Sequence, residues 1–163
     1  MKKQITISLL LLLTVLTTGA QTSMRQVFEQ MPDSLLPTLS KNNRLDMLDF
    51  MEAKMRAEVD NLLECPSEMT ALSADSLTVV MSPVLTVKMR LLSTETEYDS
   101  LHQVVVVEHC YSLPSDDTSE TVRTFYSLRW NRIDSLAPVD RKLLAPLPPS
   151  SILKPDEILI KAD

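Results

Sequence analysis

Few residues in this chain have types and spacing suited to chemistry. His102 and His109 are the two histidines, and His109 stands between Glu108 and Cys110. That run offers a carboxylate, an imidazole and a thiol, which are ligand types for zinc. A structural zinc site, however, draws on paired C-x-x-C or H-x-x-x-H spacings, and none occurs here. Read as a strand, the run sends adjacent side chains to opposite faces, so His109 and Cys110 do not form a nucleophile–base dyad. The same rule separates His102 from His109, because their spacing of seven is odd. Asp116, Asp117 and Glu120 gather oxygen ligands in one connection, a weak calcium candidate beside the plainer reading of a solvated turn. Serines are abundant, but no setting marks one as a nucleophile. Paired carboxylates mean nothing for glycoside hydrolysis without geometry.

Two further sets carry more weight. Lys88, Arg90, Arg123 and Arg129 lie on the apparent polar faces of two expected strands, within an otherwise acidic chain. Brought together they form a stripe suited to an anionic partner; the plainer reading is a solvated face with cross-strand carboxylate partners. Cys65 and Cys110 would close a long loop as a disulfide in an oxidising compartment, worth roughly 4 kcal/mol. Two separate thiols fit the sequence equally well.

Composition narrows the classes. The chain has 163 residues and a formal net charge of −6, with Gly19 as its single glycine. Lys2 and Lys3, the apolar run from Ile5 to Leu16 and the small residues Thr18-Gly19-Ala20 have the layout of a secretory leader cleaved after Ala20. The twelve-residue apolar run is short of the roughly 20 residues that a membrane-spanning helix needs. Removing Lys2 and Lys3 with the leader takes the net charge to −8 and leaves no glycine. A glycine-free chain excludes the P-loop, the dinucleotide fingerprint, the nucleophile elbow and the EF-hand. An acidic surface argues against nucleic acid as a partner. No cofactor is called for, and no later segment is apolar enough to span a membrane. The expected location is periplasmic or secreted.

The elements that must position these residues follow from apolar periodicity. A short helix is expected from Met24 to Met31, stopped by Pro32. Leu45, Leu48, Met51, Met55, Val59 and Leu62 step by three or four, which predicts a long helix from an N-cap at Asn43 to Cys65-Pro66. Glu52 and Arg56 would form an i,i+4 pair along it. Met47, Met51 and Met55 read as core filling rather than a binding stripe. Beyond Pro66 the period falls to two. Strands are expected over 77–82, 85–91, 102–111 and 124–130, with a short one at 157–161. The four valines from Val104 to Val107 mark a central strand covered on both faces. Asp-Ser-Leu occurs at Asp33, Asp75, Asp99 and Asp134, where Asp and Ser side chains stand in for glycine in turns. Tight type I′ hairpins usually need glycine, so longer connections are expected. The segment 137–163, rich in proline and leucine, reads as a strap over the sheet that covers Phe125.

The stretch Lys41-Asn42-Asn43-Arg44-Leu45-Asp46-Met47-Leu48-Asp49-Phe50, followed by Ala53 and Glu58-Val59 to Leu63, resembles an uncharacterised exported family of small proteins from Bacteroidales. The similarity extends to about Trp130. It implies a Gram-negative envelope setting and carries no catalytic residues across.

The sequence thus predicts one α+β domain over 21–163 behind a leader at 1–20. Helices at 24–64 pack on a four- to five-stranded antiparallel sheet at 70–133, closed by the proline-rich tail at 137–163. The function expected is a non-catalytic periplasmic or envelope binding module, using a sheet face, an edge strand or the strap to engage an envelope protein or other envelope component. Two rivals are a hydrolase or metal-dependent enzyme, whose polar groups must converge in a pocket, and a carrier of small apolar ligands, which needs an internal cavity.

Overall fold

The computed structural model describes residues 22–112 and 119–144. Its centre is a seven-stranded antiparallel sheet in which every strand pairs with its sequence neighbours, in the order β1 to β7. The strands are β1 (Ala57–Asp60), β2 (Pro66–Leu72), β3 (Ser76–Ser82), β4 (Leu85–Tyr98), β5 (Leu101–Ser112), β6 (Ser119–Ser127) and β7 (Arg132–Ile133). Two helices precede it, α1 (Met24–Glu29) and α2 (Lys41–Glu52), joined through a 3-10 turn at Asp33–Leu35; a short α3 (Pro138–Arg141) follows it.

This corrects the expected architecture. The protein is mostly sheet with small helices, rather than N-terminal helices on four or five strands. The error lies in 53–72. The long helix stops at Glu52, and the polypeptide turns into β1, which the periodicity counted into that helix, and then β2, which it assigned to no strand. The stop is a Schellman motif: the Met55 amide donates to the Phe50 carbonyl and the Lys54 amide to that of Met51. Lys54 takes the left-handed conformation at φ 56°, where glycine is usual. With no glycine the stop has no mark in the sequence. Val59 and Leu62 then fall on the helical period by coincidence; Val59 packs on the core from β1, while Leu62 is exposed. Arg56 consequently leaves Glu52 and pairs with Glu58 and Glu68. Helix α2 also starts earlier than expected: Ser40 is the N-cap, its hydroxyl accepting from the Asn43 amide.

The turns differ too. Asp99 and Ser100 form a two-residue turn between the paired residues Tyr98 and Leu101, with φ of 52° and 66°. Asp and Ser occupy the left-handed positions of a tight hairpin here, where longer loops were expected. Each Asp-Ser-Leu triplet lies at an element boundary: the 3-10 turn, the entries to β3 and β5, and the exit from β7.

Alternation gives the sheet two faces. On the helix face, Met24, Val27 and Phe28 of α1 and Met47 and Leu48 of α2 pack over Met69, Leu77, Val79, Val87, Met89, Val105 and Val107. On the other, open face, Val104 and Val106 join Leu136, with Phe125, Ile133 and Leu144 packed against them. The valine run is therefore buried from both sides, and the cover near Phe125 is the segment 136–144. Residues 145–163, including the strand expected at 157–161, lie outside the described residues, as does the leader expected at 1–20.

Arg44 organises the connector between the helices. Its side chain is fully buried and donates to the backbone carbonyls of Met31 and Leu39, the latter at 2.9 Å. It meets Asp33 Oδ1 at 2.8 Å, and its guanidinium lies 5.8 Å from the Phe28 ring centre. Carbonyls in a glycine-free loop under a helix need a donor that reaches them, and a forked guanidinium satisfies two at once. Asn61 does the same for the β1–β2 turn: its carbonyl oxygen accepts from Leu63 N and its amide donates to Ser67 Oγ and Met81 O.

Candidate functional site

The open face holds most of the charges singled out above. Side chains at Lys88 and Arg90 of β4, Glu108 of β5 and Arg123 of β6 share this face, because Lys88 pairs with Glu108 and Glu108 with Arg123. Glu108 Oε1 accepts from Arg123 Nε at 2.8 Å and lies 2.6 Å from its Nη2. Both side chains are close to nine-tenths buried, so this forked contact is screened far less than a surface pair. Arg90 Nη2 lies 3.6 Å from the same oxygen, and its buried Nε finds no acceptor among the described residues. Lys88 points to solvent and makes no ion pair among the described residues. One carboxylate is thus shared unequally between two arginines, leaving the cationic character of β4 outward.

The expected stripe is shorter than four residues. Arg129 lies in the β6–β7 turn beyond the end of β6, and its charge acts on Asp99 instead. Asp99 is held below the usual carboxylate range by the Ser127 hydroxyl and the Asn131 amide, the latter at 2.7 Å, with Arg129 adding to them. This stitches the β4–β5 and β6–β7 turns together. Glu108 as the partner of the arginines went unrecognised, because partnership across strands depends on register.

The same face carries opposite charge on its other side. Glu58 and Asp60 of β1 and Glu68 of β2 project from it, with Arg56 bridging Glu58 and Glu68. Between the two charged regions lie Thr78 and Val80 of β3 and Thr86 of β4. Among the described residues, only the segment 136–144 packs over this face.

The other candidates are separated by the fold. His102 is exposed on the open face, 3.5 Å from Glu97. His109 lies half-buried on the helix face, where burial lowers its pKa. Cys65 and Cys110 are both free thiols, the second of the two readings that the sequence left open. Cys65 is in the exposed β1–β2 turn and Cys110 in β5. Three strand spacings of roughly 4.8 Å separate β2 from β5, well beyond the roughly 7 Å limit between bridged Cα atoms. Asp116 and Asp117 lie outside the described residues; Glu120 is on β6 opposite Tyr111. Among the described residues no three His, Cys, Asp or Glu side chains gather to hold a metal ion, and no helix is long and apolar enough to cross a membrane.

The strap is docked by a polar lock. Asp140 is fully buried; its Oδ1 accepts from the Glu95 amide at 2.7 Å and its Oδ2 from the Tyr98 hydroxyl at 3.0 Å. Tyr98 Oη in turn accepts from the Ala137 amide at 2.8 Å. Burial alone would raise the Asp140 pKa, but the amide of Glu95, the hydroxyls of Thr96 and Tyr98 and the amide of Thr96 together hold it below the ordinary value.

No curated protein matches the chain. A solved structure of a domain of an uncharacterized protein from Porphyromonas gingivalis W83 is similar at 20% identity and a TM-score of 0.55. The likeness covers 73% of this chain and 64% of that one, so the chain spans under two thirds of its solved neighbour. At that identity it speaks for the fold alone. The model of the family described as "Protein of unknown function (DUF3256)" matches residues 15–144, most of the chain, and the protein belongs to that family.

Proposed function

We propose that this protein is a non-catalytic interaction module of the bacterial envelope, exported by its leader, that engages another protein through the open face of the sheet. The observation that carries this reading is the cationic strand beside the segment 136–144 on the open face: Lys88 and Arg90 point outward, with Glu108 committed mainly to Arg123. The polar groups there pair with one another across the surface of a sheet, which suits recognition. The face is favoured over the β1 edge, because Asn43 on α2 donates to the Asp60 carbonyl and blunts that edge.

The test uses the processed chain, 21–163, immobilised and exposed to envelope extract, beside a Lys88→Glu/Arg90→Glu variant with an unchanged melting transition. Capture of a defined protein that the variant loses supports the reading. Equal capture by both removes the open face from it.

A further inference from the structure

The open face is divided into an acidic region on β1–β2 and a basic region on β4–β6. Building on the reading just given, we infer that its partner is a second copy of this chain, docked open face to open face about a two-fold axis. The basic region holds Lys88, Arg90 and Arg123 against Glu108; the acidic region holds Glu58, Asp60 and Glu68 against Arg56. Counted on these residues, they carry +2 and −2.

Two or three strand spacings across the sheet and two to four residues along it separate the regions, about 12–20 Å. That exceeds the Debye length of about 8 Å at physiological salt, so the two do not neutralise each other within one molecule. A two-fold axis lying in the interface, midway between the regions and perpendicular to the line joining them, places each region opposite its complement. Both contacts form at once, as an isologous interface requires. The processed chain's net charge of −8 repels an anionic polymer and a second copy alike, so docking depends on local charge complementarity outweighing it. A copy of the chain brings its own acid patch at the matching offset.

The contact is modest in size. Six strands at roughly 4.8 Å and about five residues along each give about 400 Å² per copy, below the roughly 800 Å² of a standard interface. The dimer is therefore weak and salt-sensitive.

Sedimentation velocity on the processed chain, from about 10 µM to about 1 mM, reads this at about 50 and about 500 mM NaCl. The sedimentation coefficient should rise with concentration at low salt, and the dissociation constant should weaken at least about tenfold at high salt. Lys88→Glu/Arg90→Glu and Glu58→Lys/Asp60→Lys should each sediment as monomers while keeping the native circular dichroism spectrum. The second pair leaves Arg56 its contact with Glu68. Mixed in equal amounts, the two variants should recover the dimer, because each then presents what the other lacks. A monomer at every concentration, a dimer indifferent to salt, or a mixture that stays monomeric overturns the inference. If the wild type is monomeric yet still captures a different protein in a Lys88- and Arg90-dependent way, self-docking fails and the interaction reading stands.

Discussion

Replacing Arg44 by methionine tests how the helical layer is held to the sheet. Methionine keeps most of the side-chain volume and removes the charge. The carbonyls of Met31 and Leu39 then lose their buried donor, at about 1–3 kcal/mol each. The Asp33 contact adds little, because that carboxylate is 64% exposed and regains water. The contact with Phe28 is worth roughly another 0.5–1 kcal/mol. Against these losses, the guanidinium no longer has to be desolvated and methionine packs on the same apolar walls. The balance is a destabilisation of about 3 kcal/mol, which for a domain of this size lowers the melting temperature by about 10 °C. Urea unfolding followed by circular dichroism measures it, with Asp33→Asn as the control at under about 1 kcal/mol. A methionine variant within about 1 kcal/mol of wild type, or a control as damaging as Arg44→Met, would show that the two carbonyls do not depend on Arg44.

Lys54→Gly should stabilise the protein by about 0.5–1 kcal/mol, since φ 56° suits glycine, and a melting curve reads it. Asp140 titrates below its unfolded value of about 3.9, so the stability it lends is complete above that value and disappears as pH falls through the lower folded one. The protection factor of the Glu95 amide, taken against the intrinsic exchange rate at each pH, should fall in that acid range, and in Asp140→Asn at neutral pH; unchanged protection would refute the lock. The His109 pKa is lowered by burial, so its contribution is full above the unfolded value of about 6.5 and falls as His109 charges below it. His109→Gln should flatten the melting temperature between pH 7 and 5, roughly the window of that titration. Alkylation under native conditions without reductant should label Cys65 quickly, and mass spectrometry should find no bridge to Cys110.

Strand alternation in 77–91, the doubly covered valine run and the Asp-Ser-Leu turns were legible in the residues, because each is a local pattern with a local cause. The helix stop at Glu52 was not, because its left-handed position is filled by Lys54 and the backbone there is held by bonds rather than by a residue type. Two strands were lost with it. Arg44 appeared only as part of a familiar stretch; that it sits buried beneath the connector depends on two loops meeting over it. The candidate site was half visible. The cations stood out against an acidic chain, but Glu108 was weighed as a metal ligand rather than as their partner.

Amino-acid order alone determined which segments alternate, which side chains of each strand share a face and where the chain can turn without glycine, since these depend on neighbours a few residues apart. Tertiary structure decided which strands lie side by side. That register gave Glu108 to two arginines, sent Arg129 to Asp99, kept Cys65 from Cys110 and placed acidic and basic regions on one open face. The physical reason is that charge pairing acts over a few ångströms of space, while the charges it pairs here stand up to 30 positions apart in the chain.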